Sequence, residues 1–248
     1  SGGGSTSGHA GTSTMDRIDY ANDTATASAR GSLSGTRTNH YAASAQANAK
    51  QGAPTFIPRI RWVDSAAEVS AVTEGPAFGY FAGGYTGSRH TTMDRIDYSN
   101  DTPTATPKGP ITIARNTGSA TSNHSHGYFA GGYDGSDNLS RVDRVDYSND
   151  TPTATAKGNL EDGRTGAGGA GNVNFGYVAG GRLESSGSES SQIDRIDYSN
   201  DTATALEKGN LLNNKYYYQG GVGNQDFGYF GGGRYPSPSG HSRVERIE

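Results

Sequence analysis

Met15-Asp16-Arg17-Ile18-Asp19-Tyr20-Ala21-Asn22-Asp23-Thr24-Ala25-Thr26-Ala27 decides the fold, because the chain writes this stretch repeatedly. It returns with small changes at Met93 to Thr106, Val142 to Thr155 and Ile193 to Ala205, and in truncated form at Val244 to Glu248. A glycine-rich string precedes each later copy: Gly79-Tyr80-Phe81-Ala82-Gly83-Gly84, then Gly127 to Gly132, Gly176 to Gly181 and Gly228 to Gly233. The glycine pairs begin at 83, 131, 180 and 232, spacings of 48, 49 and 52 residues. A period near fifty with four short strands per unit is that of a propeller blade.

Within one unit, Thr165 to Val173 is expected as strand one, Phe175 to Gly180 as strand two, Gln192 to Tyr198 as strand three and Thr202 to Leu206 as strand four. Ser199-Asn200-Asp201 forms the polar turn between the last two, because Asn and Asp bond their own backbone and tolerate tight geometry. No segment carries a 3.6-residue apolar period, so helix is expected to be nearly absent. The expectation is an all-β chain, one propeller domain over residues 1–248 with about five four-stranded blades, four or six being the alternatives.

Composition fits such a scaffold. Leu, Ile, Val and Phe make up only 32 of the 248 residues, about 13%, well below an ordinary globular domain. Net charge is only −4, whereas disordered chains this poor in apolar residues usually carry a large one. The 38 glycines and many Ala, Ser and Thr residues let strands approach closely, with Tyr supplying bulk. A balanced charge gives no basic stripe for nucleic acid, and no run of 18 apolar residues exists to span a membrane as a helix. With no cysteine, disulfides, thiolate metal sites and cysteine nucleophiles are all excluded.

The tandem glycines after a tyrosine-bearing strand, followed by a loop, a strand and the Asp-Tyr-Ser-Asn-Asp-Thr turn, resemble the kelch or galactose-oxidase-central-domain type of propeller repeat. The family's tryptophan in strand four is replaced here by Ala or Thr. The wording Asp-Arg-Ile-Asp-Tyr-Ser-Asn-Asp-Thr-Ala-Thr-Ala running into Lys-Gly is also similar to repeats in virion proteins of marine and cyanobacterial phages. Galactose oxidases use a cysteine-linked tyrosine at copper, so that activity does not carry over to a chain without cysteine. One stretch breaks the rhythm: residues 37–75, which hold the only tryptophan, Trp62, are either a degenerate, shortened blade or a surface insertion.

Side chains alternate faces along strand three, which puts Arg17 with Asp19, Arg95 with Asp97, Arg144 with Asp146, Arg195 with Asp197 and Arg246 with Glu248. These pairs are expected to form a structural charge ladder around the ring, since a catalytic carboxylate is wanted once and these recur. Asn22, Asn100, Asn149 and Asn200 each open an Asn-Asp-Thr acceptor sequence for N-glycosylation, and turn chemistry alone also explains them. His124 and His126 share a strand face, but two ligands make no zinc site. No nucleophile elbow, zinc-protease motif or phosphate loop leading into a helix is present, so no catalytic residue, metal or cofactor is assigned.

Both termini look unfinished. Joining Tyr216 to Gly233 with Met15 to Leu33 would complete a blade and leave Val244, Glu245, Arg246, Ile247 and Glu248 as a surplus strand, and a surplus strand wants an edge. The expectation is that this strand, or its N-terminal counterpart, pairs with a neighbouring copy, linking subunits head to tail in an extracellular fibre or virion appendage. The alternative is a carbohydrate- or receptor-binding module using Tyr85, Tyr133, Arg182 and Arg234 beside the glycine pairs.

Overall fold

A computed structural model of the chain describes residues 11–19, 24–44, 78–212, 217–234 and 243–248. Nearly all of it is β, 52% strand against 2% helix, in a β-propeller arrangement of four blades. An N-terminal hairpin comes first, β1 (Thr12–Arg17) on β2 (Ser28–Arg37). The first blade is β3 (Tyr41–Ser44), β4 (Phe78–Ala82), β5 (Met93–Asp97) and β6 (Thr106–Lys108). The second is β7 (Ser119–Ser122), β8 (His126–Ala130), β9 (Val142–Asp146) and β10 (Thr155–Ala156). After β11 (Arg164–Thr165), the third blade takes β12 (Gly168–Gly171), β13 (Phe175–Ala179), β15 (Gln192–Asp197) and β16 (Leu206–Asn210), while β14 (Arg182–Leu183) pairs with β11 as a ribbon. The fourth blade has three strands, β17 (Tyr217–Gly223), β18 (Gly228–Arg234) and β19 (Val244–Ile247). All pairings are antiparallel meanders, and the first strands of successive blades lie side by side.

The four blades fall within the expected range of about five, four to six; among the described residues the unit containing Met15 contributes a hairpin equivalent to strands three and four. Within residues 37–75, Tyr41–Ser44 is the inner strand of the first blade, which moves the start of any degenerate blade or insertion past Ser44. Residues 45–75 lie outside the described residues. Strand four also begins later than expected: Thr202 to Ala205 is a connection and pairing starts at Leu206. The cause is that Asp201 and Ala205 are held by the preceding blade, Ala205 donating its N–H to the Asn159 carbonyl at 2.8 Å, so the ladder cannot form until the chain has left that contact.

No single centre holds the core. Apolar side chains instead form layers between neighbouring blades. Tyr41, Tyr80, Met93, Ile111, Phe129 and Val145 fill the space between the first and second blades. Tyr128, Val142, Leu160, Val178 and Ile196 fill that between the second and third. The third and fourth share a smaller layer of Ala170, Ala179, Ile193, Leu211 and Phe230. Met15, Leu33 and Ala105 join the hairpin to the first blade. The glycine pair ending strand two turns the chain sharply: Gly83, Gly131, Gly180 and Gly232 sit at φ of 64, 64, 67 and 72°, a region that side chains with a Cβ avoid.

Candidate functional site

The repeated charged residues build two kinds of contact, and neither is the expected ladder. One lies inside each blade. The first aspartate of the strand-three motif is fully buried and meets an arginine from the segment entering that blade: Arg37 with Asp94, Arg115 with Asp143 at 3.0 Å, and Arg164 with Asp194 at 2.9 Å. Each carboxylate also accepts a backbone N–H from the same segment, Ser34, Thr112 and Glu161 respectively, at 3.0 Å. Leu212 N–H donates likewise to Glu245 at 2.6 Å in the fourth blade. Burial raises the Asp194 carboxyl above its ordinary range in spite of the facing Arg164. Removing one member of such a pair leaves a buried charge, a loss of about 3–5 kcal/mol.

The second contact joins neighbouring blades through the turn after strand three. Its acceptor is the aspartate of Asn-Asp-Thr. Asp150 of the second blade takes Arg95 Nη1 at 2.8 Å, Lys108 Nζ at 3.1 Å and the Tyr80 hydroxyl at 2.9 Å, all from the first blade. Asp201 of the third blade takes Arg144 at 2.7 Å, Lys157 at 3.1 Å and the Tyr128 hydroxyl at 3.1 Å from the second. Asp101 of the first blade takes Arg17 at 3.1 Å and Arg30 at 3.3 Å from the N-terminal hairpin. The turn tyrosine stacks on the strand-two tyrosine of the blade before it, Tyr147 on Tyr80 at 4.9 Å and Tyr198 on Tyr128 at 4.5 Å. Gly31, Gly109 and Gly158 complete the grip by donating their N–H to the carbonyls of Asp101, Asp150 and Asp201 at 2.8, 2.9 and 2.8 Å. A Cβ on any of the three would overlap the carbonyl oxygen of Pro103, Pro152 or Ala203.

Register explains why the same residues serve each time. The strand-two tyrosine lies opposite the strand-three arginine, Tyr80 with Arg95, Tyr128 with Arg144 and Tyr177 with Arg195. The arginine lies over the aromatic residue two positions before that tyrosine, Arg95 over Phe78 at 4.1 Å, Arg195 over Phe175 at 4.2 Å and Arg246 over Phe227 at 4.5 Å. His126 holds that position in the second blade, where burial and then Arg144 lower its pKa, favouring a neutral ring. Burial opposes ionisation of Asp201, yet Lys157, Arg144 and Tyr128 outweigh it and hold the carboxyl below its usual range. Burial, followed by the adjoining aspartate, pushes the Tyr80 and Tyr128 hydroxyls up, so they remain donors.

The ladder partners are thus reassigned. Arg17, Arg95 and Arg144 reach the next blade, while Asp97, Asp146 and Asp197 turn back to accept the N–H and hydroxyl of Ser99, Ser148 and Ser199 at 2.6–2.9 Å. Those serine bonds hold the three carboxyls below their ordinary range. Alternation had fixed the shared face correctly but could not give the reach of an arginine. Asp19 is exposed, and the exposed pair Arg246 with Glu248 forms along its strand at 2.5 Å. Val244–Ile247 is not surplus: it pairs with β18 of its own chain, Gly228 facing Ile247 and Tyr229 facing Arg246, in the third-strand place. The extra element is the N-terminal hairpin.

Asn100, Asn149 and Asn200 are exposed, each with its amide oxygen 3.4 Å from the threonine two residues on, while Asn22 lies outside the described residues. Recurrence of Asn-Asp-Thr follows from the aspartate's interblade role. In the loops, the Arg89 guanidinium lies between the Tyr85 and Tyr133 rings, 5.5 and 4.5 Å from their centroids. Arg182 is exposed and donates to the Gly187 carbonyl at 2.8 Å. The Arg234 side chain lies outside the described residues. Among the described residues no three His, Asp or Glu side chains gather as a metal site, and no helix is long and apolar enough to cross a membrane.

The sequence expectation missed Arg37, Arg115 and Arg164. Their signal is an apolar residue four positions before an arginine, Leu33 to Arg37, Ile111 to Arg115 and Leu160 to Arg164, just after each basic-Gly dipeptide. No protein-family model matches the chain, and no curated protein matches it in sequence.

Proposed function

We propose that the chain is a non-enzymatic structural protein, a kelch-like propeller that assembles head to tail through contacts between propellers into an extracellular fibre or virion appendage. The observation that carries this reading is a pair of sheet edges exposed among the described residues. There the hairpin supplies strands equivalent to three and four, and the fourth blade supplies strands one to three. The edges expose apolar side chains that other blades bury. Ile18 is 57% exposed where Val145 and Ile196 are each 4% exposed, and Val244 is 65% exposed where Val142 is fully buried. Open edges of this kind invite pairing with another chain. Electron microscopy of the purified chain over a concentration series tests the reading: linear assemblies that lengthen with concentration are expected, and single particles at every concentration would overturn it.

A carbohydrate- or receptor-binding module is the second reading, favoured by the gathering of Tyr85, Arg89 and Tyr133 from two blades at one rim. Aromatic faces there can stack on a sugar once Arg89 swings aside. Glycan-array binding that disappears in Tyr85→Ala and Tyr133→Ala would establish it, and an array with no hits would remove it.

A further inference from the structure

Contacts that recur from blade to blade are architecture, so a charged residue that occurs once at a rim calls for another explanation. The bridge closing the loop between strands two and three pairs Tyr85 with Arg89 in the first blade, Tyr133 with Asn138 in the second and Arg182 with Glu189 in the third. Only the first of these loops places a cation second in its bridge. The Arg89 guanidinium crosses to the second blade, 4.5 Å from the Tyr133 centroid, with the Tyr85 centroid at 5.5 Å. All three side chains are partly exposed.

Nothing nearby answers that charge. Among the described residues no carboxylate is within ion-pair distance of Arg89, and its Nε is buried without a hydrogen-bond partner. Asp134, the neighbouring acid, is turned into its own loop, where it accepts the N–H groups of Ser136 and Asp137 at 2.8 and 2.9 Å. The next boundary shows what is missing. Three residues after its glycine pair, the third blade carries Glu184, whose carboxylate reaches back to the Asn138 N–H at 2.7 Å. The second blade has Gly135 at that place, and a Cβ there would lie 2.8 Å from Arg89 Nη1. The cation thus faces bare backbone where the following loop presents an acid.

A mere staple between blades explains this poorly. A cation over a tyrosine at an exposed rim is a weak contact, and the first two blades are already joined through Asp150 and the Tyr147 stack. Resting on the carbohydrate-binding reading above, we propose that Arg89 makes this rim selective for anionic sugars, pyranosides carrying a carboxylate or a sulfate. The acid of the ligand sits beside Gly135 and accepts two N–H bonds from the guanidinium, whose planar fork suits such groups. Drawing Arg89 toward that acid bares the Tyr85 and Tyr133 faces, which then stack on the sugar ring. A neutral sugar must displace the guanidinium with no new bond to offset the loss.

A glycan array printed with neutral saccharides, and with the same saccharides bearing a uronate carboxylate or a sulfate, tests this, with affinities for the hits taken from titration calorimetry. Wild type is expected to bind acidic members at least about tenfold more tightly than their neutral counterparts, as charge-assisted bonds require. Arg89→Gln, checked by thermal melting, is expected to lose that preference while still binding the neutral members, and Tyr85→Ala and Tyr133→Ala to lose both. Selectivity for carboxylate over sulfate, or equal binding of the two, supports the proposal and separates shape from charge alone. Hits without preference for the acidic members, or a preference that survives in Arg89→Gln, overturn the role of Arg89 and leave the carbohydrate reading standing. An array with no hits removes that reading and this proposal with it.

Discussion

The boundary between the second and third blades and the boundary between the third and fourth use the same residues to different ends. At the first, Tyr128, Arg144, Lys157 and Gly158 close on Tyr198 to Thr202, and Asp201 is 7% exposed. At the second, Tyr177 packs against the layer shared with the fourth blade, and Arg195, Lys208 and Gly209 meet no turn among the described residues. One sequence motif is therefore a cohesive element when filled and an unsatisfied surface when empty. Repetition by itself does not say which, because that depends on whether the next blade presents its turn.

Four substitutions sharpen this comparison, and a fifth, inside a blade, sets the scale. Arg164→Met has the largest expected effect, about 3–5 kcal/mol lost in urea unfolding, because Asp194 stays buried without its partner; this pair is internal to a blade and takes no part in the boundary contrast. Gly158→Ala should follow at about 3 kcal/mol, since a backbone carbonyl cannot give way to the new methyl. Gly209→Ala is strained by its φ of 131° but clashes with nothing, so it should cost about 1–2 kcal/mol. If the two glycines prove equally sensitive, the third boundary is filled in solution. Asp201→Asn should cost about 1.5–3 kcal/mol through two charge-assisted bonds, and Arg195→Ala of the monomer less than about 1 kcal/mol.

The smallest effect is a pH dependence with a definite sign. The carboxyls of Asp97, Asp146, Asp197 and Asp201 have folded pKa values below their ordinary ones. Their stabilisation is fully present above the unfolded carboxylate range, about pH 4, and is lost as pH falls through the lowered values. Asp194 runs the other way, because its raised value means that protonation in acid relieves a burial cost. With Asp134, lowered by the backbone N–H groups of Asp137 and Ser136, five against one gives net loss of stability in acid, followed by thermal melts from pH 6 to pH 2.5. Asp201→Asn should flatten that curve, and Arg195→Ala should leave its shape unchanged.

Much of the architecture was legible because the glycine pairs and the Asp-Arg-Ile-Asp string carry strands two and three with little variation. Blade number was less so: the unit at Met15 looks complete in its wording, yet among the described residues β1 pairs with β2 alone. The charged residues showed their face but not their partners. Arg144 lies two residues from Asp146 on one strand, yet Asp146 is drawn into its own turn by Ser148, and the long guanidinium crosses to Asp201. Arg37, Arg115 and Arg164 were hidden in linkers where only two positions in five recur.

A double-mutant cycle in urea unfolding tests the interblade assignment most directly, comparing Arg144 with Asp201 and Arg144 with Asp146. The expected result is a coupling of about 1–2 kcal/mol for Arg144 with Asp201 and one near zero for Arg144 with Asp146. Coupling confined to Arg144 and Asp146 would mean that the recurring charges pair along their strands, and that the blades are not joined through the Asn-Asp-Thr turn.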